Sequence, residues 1–300
     1  MPGSVGELLR AAAQRLTESG SETPRLDAEV LLGHVLRVDR ATLLAEPEAP
    51  VGADQQQRFA ELIERRVTGE PVSYIRGLKE FYGLVFSVDP RALIPRPETE
   101  TLVDLALARI ATLLTCAPRD AGSPLRVWDV GTGSGAIAVT LAIESRRRGY
   151  AHDVWLLASD VSTDALGLAV ENAVAHGVAD MIEFLTADLT LGADVEAVDL
   201  LLANLPYIPT DVVPTLPAAA GFEPVQALDG GADGLQLIRA LINQLPATLG
   251  PHGVSLMEIG SDQADAVVGL VAGLGLGWSS VVHLDLGGRP RVIEITRGTP

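Results

Sequence analysis

The chain has 300 residues, 47% of them apolar and 20% charged, which is enough for a full core and two domains and too apolar for a disordered chain. With 22 Lys+Arg against 39 Asp+Glu the net charge is −17, the wrong sign for gripping a polyanion, so direct nucleic-acid binding is not expected. A single cysteine, Cys116, cannot close an intrachain disulfide; the composition fits a reducing compartment, and the cytoplasm is the expected location.

Glu7 and Arg10 interrupt the first apolar stretch, and no later apolar run is long enough to span a bilayer, so neither a signal peptide nor a membrane segment is expected. From Val5 to about Gly69 apolar residues recur at helical spacing: Val5, Leu8, Leu9 and Ala12; Leu26, Val30, Leu31 and Val35; Phe59, Leu62, Ile63 and Val67. Thr23-Pro24 reads as an N-cap followed by proline at the first helical position. Residues 1–70 are therefore expected to form a small helical domain. Between Pro71 and Val88, Tyr74-Ile75 and Phe81 to Phe86 read as short strands punctuated by Gly77 and Gly83, a hairpin linker over 71–90.

Residues 91–300 alternate. A helix is predicted over Glu98–Leu114 with Arg109 turned outward, then strand Leu125–Val130, helix Ala136–Arg147, strand Val154–Ser159, helix Thr163–His176 and strand Ile182–Leu185. Strand Val198–Ala203, helix Leu235–Leu249, strand Val254–Ile259 and helix Gln263–Gly273 follow, and two last strands, Ser279–Leu284 and Arg291–Thr296, have no helix between them. This pattern predicts an α/β fold: a Rossmann-like, mostly parallel sheet covered on both faces, with an antiparallel C-terminal strand.

Asp129-Val130-Gly131-Thr132-Gly133-Ser134-Gly135 falls where the first strand of this domain turns into a helix. There glycines let the backbone bend sharply and approach a ligand closely, with helix N–H groups beyond. Asp160 ends the next strand, where a carboxylate can accept two ribose hydroxyls, and Asp188 follows the third with Leu189 beside it. Together they predict a nucleoside crevice at the carboxyl edge of the sheet. Asp129 would repel a pyrophosphate and suits a ligand bearing an amino group and a sulfonium. Asn204-Leu205-Pro206-Tyr207 follows the fourth strand and faces the same crevice. The Asn204 oxygen and the Leu205 carbonyl can accept the hydrogens of a planar amino group and aim its lone pair, while the Tyr207 ring stacks on it.

These motifs resemble those of class I S-adenosylmethionine-dependent methyltransferases acting on planar amino groups. Gly69-Glu70-Pro71-Val72-Ser73-Tyr74-Ile75-Arg76-Gly77, Leu93-Ile94-Pro95-Arg96-Pro97-Glu98-Thr99-Glu100, Phe222-Glu223-Pro224, Gly230-Gly231-x-Asp233-Gly234-Leu235 and Asp285-Leu286-x-Gly288-Arg289-x-Arg291 narrow the resemblance to the release-factor glutamine methyltransferases, the HemK family. It covers about residues 5–297. The resemblance implies methyl transfer from S-adenosylmethionine to the glutamine amide nitrogen of the Gly-Gly-Gln motif in class I peptide chain release factors. By the same token Gly131, Thr132, Gly133, Ser134 and Gly135 would line the methionine part of the cofactor, Asp160 would hold the ribose, and Asp188 with Leu189 would flank the adenine. Asn204 and Leu205 would hold the substrate amide, with Pro206 fixing the turn, Tyr207 packing on the amide and no metal needed.

Leu205 departs from the family's usual proline and matches a variant found in ribosomal RNA adenine dimethyltransferases. Two alternatives therefore stand beside the main one: an adenine methyltransferase acting on RNA or DNA, with Arg146-Arg147-Arg148 as its basic patch, and a cofactor-binding protein without transfer. Residues 209–229, rich in proline, are expected to form a substrate-facing lid carrying Phe222-Glu223-Pro224. The helical domain is expected to grip the protein substrate.

Overall fold

The computed structural model describes residues 3–116, 123–192 and 195–298. By compactness the chain forms two units. The first runs to Leu78 and takes in Leu216–Phe222; the second holds Lys79–Thr215 and Glu223 onward.

The first unit is helical: α1 (Val5–Glu18), α2 (Pro24–Leu36), α3 (Arg40–Ala45), α4 (Ala53–Val67) and α5 (Val72–Arg76). Ser4 starts α1 with a capping box, its hydroxyl accepting from the Glu7 N–H while Glu7 returns a carboxylate to the Ser4 N–H. Leu16, Leu31, Leu32, Phe59 and Ile63 fill the core. In α2 the predicted apolar stripe is displaced: Leu26 is exposed, whereas Asp27 and Glu29 are buried beside Ala28, Leu31 and Leu32. Arginines make that burial possible. Arg66 meets Asp27 at 2.7 Å, and Arg25 and Arg40 meet Glu29 at 2.8 and 2.6 Å, so two positions that read as solvent-facing turn inward.

Tyr74 and Ile75, expected in a strand, lie in α5 instead, because Pro71 sets the first turn and Gly77, at φ 70°, ends the helix in the left-handed region. The hairpin itself forms from β1 (Leu78–Phe81) and β2 (Leu84–Ser87), joined by Tyr82 and Gly83, both at positive φ as a tight two-residue turn demands.

The second unit carries α6 (Glu100–Cys116), β3 (Leu125–Val130), α7 (Ala136–Arg147), β4 (Val154–Asp160), α8 (Thr163–Ala175), β5 (Ile182–Thr186), β6 (Val198–Ala203), α9 (Gln236–Thr248), β7 (Leu249–Glu258), α10 (Ala264–Ala272), β8 (Trp278–Leu284) and β9 (Pro290–Arg297). Their sheet has the order β5-β4-β3-β6-β7-β9-β8, with β9 antiparallel to both its neighbours and every pairing from β5 to β7 parallel. Successive strand residues face opposite ways. Val127, Leu156, Leu200 and Leu256 pack with Leu102, Ile110 and Leu141 of α6 and α7, while Trp128, Leu201 and Met257 pack with Leu241 and Val267 of α9 and α10. Arg109 does not turn outward: it pairs with the buried Glu294 of β9.

The direction of chain progression reverses between β3 and β6, which opens the switch-point crevice of a doubly wound sheet. The parallel register brings the ends of three strands level there, Val130 opposite both Ser159 and Ala203.

Candidate active site

Four strand ends supply the crevice. The turn after β3 brings Gly131 and Gly133, β4 ends in Asp160, Asp188 and Leu189 follow β5, and Asn204, Leu205 and Pro206 follow β6; all of these line one cavity. The turn after β3 is tied from two sides. The Gly131 and Thr132 N–H groups donate to the Ser159 carbonyl, both at 2.8 Å, and Asn172 of α8 donates to the Ser134 carbonyl at 2.9 Å. A Cβ on Gly135 would sit 3.0 Å from the Ala169 side chain and 3.1 Å from its Cα, so only glycine lets α7 start this close to α8.

Among the described residues no cation pairs with the acids of the crevice. Asp129 is buried; its Oδ2 accepts from the Thr132 hydroxyl at 2.7 Å and the Ala138 N–H at 3.3 Å, and its Oδ1 has no partner. Burial pushes its carboxyl up to about 7, the Thr132 and Ala138 hydrogen bonds opposing and the nearby Asp160 charge adding to the rise. Asp160 accepts from the Gly133 and Ser162 N–H groups, each at 2.9 Å, and burial raises its pKa against those bonds. Asp188 is exposed, and Leu189 keeps a left-handed φ of 54° that turns its side chain into the buried set.

The turn after β6 is the most closely fixed. Asn204 donates from Nδ2 to the Thr99 hydroxyl at 3.0 Å, and Thr99 donates to Glu258 Oε2 at 2.7 Å. A hydroxyl that has spent its proton on a carboxylate can only accept from Asn204, so the amide presents its NH₂ to Thr99 and its oxygen elsewhere. Among the described residues neither Asn204 Oδ1 nor the Leu205 carbonyl accepts a hydrogen bond. Burial raises the Glu258 carboxyl and pushes the Tyr207 phenol up to about 12, the two lying 3.4 Å apart, so Tyr207 stays neutral.

Below the turn, Gln263 donates from Nε2 to the Tyr207 carbonyl at 2.9 Å, and a Cβ on Gly234 would lie 2.4 Å from that same oxygen. The Leu205 side chain is buried, its Cδ2 within 3.0 Å of where a Gly131 Cβ would stand, so packing beneath the glycine turn holds the turn where a proline would hold it by its ring.

All the sequence-predicted positions except Asp129, Gly135 and Tyr207 border the crevice cavities directly; Gly135 is buried at the start of α7 against α8. Asp129 lies beneath the glycine turn, and Tyr207 lines the adjoining pocket with Arg96 and Glu258. The expected lid is only partly one. Residues 209–229 form three short 3₁₀ turns, and Pro224, Gln226 and Ala227 line the crevice, but Glu223 is buried and serves as an anchor, accepting from the Ile94 N–H at 3.1 Å and pairing with Arg96 at 2.5 Å. Sequence reasoning gave no role to Thr99, Asn172, Glu258 or Gln263. Glu258 had a signal: a carboxylate closing an otherwise apolar strand seldom goes inside without a task.

A family model described as the PrmC N-terminal domain matches residues 7–77. The release factor glutamine methyltransferase of Moorella thermoacetica is 40% identical over 288 residues, 96% of each chain. That of Nitratidesulfovibrio vulgaris is 39% identical over 97% of this chain and 94% of its own. That of Cereibacter sphaeroides is 40% identical over 97% of each. For the fold alone, a methyltransferase from Pyrococcus furiosus superposes with a TM-score of 0.50 at 15% identity, covering 73% of this chain and 92% of that one. Near-complete coverage at this identity, with the sheet order and crevice described above, places the chain in its family: it belongs to the release factor glutamine methyltransferases.

Proposed function

We propose that the chain transfers a methyl group from S-adenosylmethionine to the side-chain amide nitrogen of the glutamine in the Gly-Gly-Gln motif of class I peptide chain release factors. The observation that carries the reading is the orientation of Asn204. With its NH₂ committed to Thr99, its oxygen and the Leu205 carbonyl are two acceptors without donors among the described residues, and both residues line the crevice. An amide nitrogen is a poor nucleophile because its lone pair is delocalised; two acceptors on its hydrogens fix the plane and aim the lone pair. Tyr207, neutral and backed by Glu258, packs on that plane and keeps water out.

S-adenosylmethionine supplies, when bound, a methyl group on a sulfonium that needs no further activation. The residues present fit it. Asp129, with an orphaned oxygen and a carboxyl poised near neutrality, suits a cationic amino group. Asp160 is held by two backbone N–H groups and keeps lone pairs for ribose hydroxyls. Asp188 and Leu189 provide an acceptor and an apolar face for the adenine, and Gly131, Thr132, Gly133 and Ser134 border the cavity where the methionine part would lie.

Residues 91–300 would thus do the chemistry, 71–90 serve as linker, and 1–70 recognise the protein substrate, work that belongs in the cytoplasm where translation ends. The basic patch considered for a nucleic acid is partly paired: Arg147 and Arg148 share Glu144 at 2.7 and 3.7 Å, and Arg146 meets Asp180 at 3.9 Å. Among the described residues no helix is long and apolar enough to cross a membrane. Incubation with S-adenosylmethionine and a class I release factor, followed by mass spectrometry of the Gly-Gly-Gln peptide, should find one added methyl on the glutamine. An unmodified glutamine would sink the reading.

A further inference from the structure

In the helical unit, a cleft of about 660 Å³ bordered by α2, the turn after it, α3, α4 and the end of α5 collects Arg37, Arg40, Arg58 and Arg76. The concentration is out of character for its surroundings, since residues 1–78 hold 9 Lys+Arg against 12 Asp+Glu, a balance of −3. Of the four, Arg40 is committed to Glu29 at 2.6 Å. Arg37, Arg58 and Arg76 form no ion pair among the described residues, whereas even the consecutive Arg146, Arg147 and Arg148 all find carboxylates. Arg76 Nε is buried without an acceptor, a state that costs free energy unless something from outside completes it.

Arg37 adds a second sign. It sits at φ 58° and ψ 41° after α2, a left-handed position that glycine occupies without strain and a side chain does not. Its charged side chain lines the cleft. His34 cannot supply that charge, because burial and the neighbouring Arg76 and Arg37 hold its pKa below the usual range. Between the arginines the lining is mixed: Val30, Val35, Val38 and Leu62 are apolar, while Asp39 accepts from the Thr42 N–H at the start of α3 and Glu61 accepts from Gln57 on its own helix.

We propose that this cleft is a docking site for a short acidic segment of a protein partner, in which carboxylates meet Arg37, Arg58 and Arg76 and apolar side chains between them meet the valines and Leu62. The mixed lining, with apolar side chains beside the arginines, suits a peptide better than a bare anion or a polyanion without apolar side chains. This builds on the reading that the substrate is a protein: it assigns the helical unit a contact that sets substrate affinity and leaves the chemistry to Asn204.

The test has a binding arm and a kinetic arm, both with the full chain. A fluorescein-labelled octapeptide of alternating Glu and Leu should bind in fluorescence anisotropy, and the same peptide with Gln for Glu should bind about ten-fold more weakly. The double variant Arg37→Glu/Arg58→Glu should lose the Glu peptide while keeping its circular dichroism spectrum; both side chains are exposed, so the fold should tolerate them. With an intact release factor the double variant should show a KM raised about ten-fold and an unchanged kcat, while a short Gly-Gly-Gln peptide is methylated as by the unaltered chain. Absence of methylation by the unaltered chain would sink the proposed function and leave the anisotropy result standing on its own. Equal peptide binding by the double variant, displacement by millimolar inorganic phosphate, or preferred binding of an RNA oligonucleotide through the same arginines would each overturn the proposal.

Discussion

Asp27 and Glu29 in the helical unit and Asp129 and Glu258 at the crevice are all at most 6% exposed, yet they are compensated in opposite ways. Asp27 meets Arg66 and two hydroxyls, Ser21 and Thr23; Glu29 meets Arg25 and Arg40. Burial alone would raise the Glu29 carboxyl, but its two arginines bring it below the ordinary range. Asp129 and Glu258 have no cation in contact, accept from hydroxyls and one backbone N–H, and stay raised. A carboxylate that serves only the fold is neutralised by the fold. Asp129, left with an orphaned oxygen, destabilises the empty protein in the way expected of a group that a ligand completes.

The largest expected effect tests the crevice side. Asn204→Ala removes one acceptor and the aim of the amide plane, and should lower kcat by at least about 1,000-fold, on the order of 4 kcal/mol. Binding of S-adenosylmethionine by calorimetry should stay within a few-fold, and retained turnover would place the chemistry elsewhere. Next comes the helical side: Arg66→Ala strands Asp27 in the core and should cost about 3 kcal/mol in urea unfolding at pH 7. A loss below ~1 kcal/mol would mean that Ser21 and Thr23 suffice and that the arginine partner is dispensable.

Asp129 sharpens the contrast through pH. Its folded pKa of about 7 lies above the ordinary 3.8, so between these values the folded chain keeps a proton that the unfolded chain releases. Stability from this residue therefore falls as pH rises from about 4 to about 7 and is level beyond. Asp129→Asn removes that share of the slope and should stabilise the ligand-free protein by about 2 to 4 kcal/mol at pH 8, and by almost nothing at pH 4. Denaturant midpoints of both proteins across pH 4–8 would show it. Parallel curves would refute the assignment. Saturating S-adenosylmethionine should flatten the curve of the unaltered chain and leave that of the variant unchanged.

Thr99→Val tests the link that sequence reasoning missed. Losing the hydroxyl frees the Asn204 amide to rotate and leaves Glu258 Oε2 without its donor, so kcat should fall about 10- to 30-fold with cofactor affinity unchanged. Thr99→Ser should restore most of the activity, which a purely structural role for the methyl group would not predict.

The sheet was legible because strands buried on both faces read as apolar runs and glycines mark where they end, so β3, α7 and β6 fall where periodicity puts them. The crevice was legible because parallel strands deliver their carboxyl ends to one edge, whatever lies between them in sequence. Long-range pairing was not legible. Arg66 makes Asp27 an interior residue from 39 positions away, and Glu258 reaches Thr99 from 159 positions away, distances at which no local pattern carries information. Tyr74-Ile75 misled for a local reason: an apolar pair beside Gly77 fits a strand or a single helical turn equally well, and Pro71 decided for the helix.

Arg37→Gly carries the smallest effect and the clearest sign. Glycine accepts φ 58° without strain, so relief of the left-handed backbone should stabilise the helical unit, offset in part by the greater freedom of glycine in the unfolded chain, for a net gain of about 0.5 kcal/mol. A guanidinium kept for structure would make the same change destabilising. The variant should therefore melt slightly higher in calorimetry while binding the acidic peptide more weakly, a gain in stability coupled to a loss of affinity. That is the pattern of Asp129→Asn in the second unit, where a group held against the interest of the empty fold is released. If Arg37→Gly instead lowers the melting temperature with peptide binding unchanged, the arginine belongs with Arg25, Arg40 and Arg66 among the groups that serve the fold, and the crevice alone keeps charges waiting for a partner.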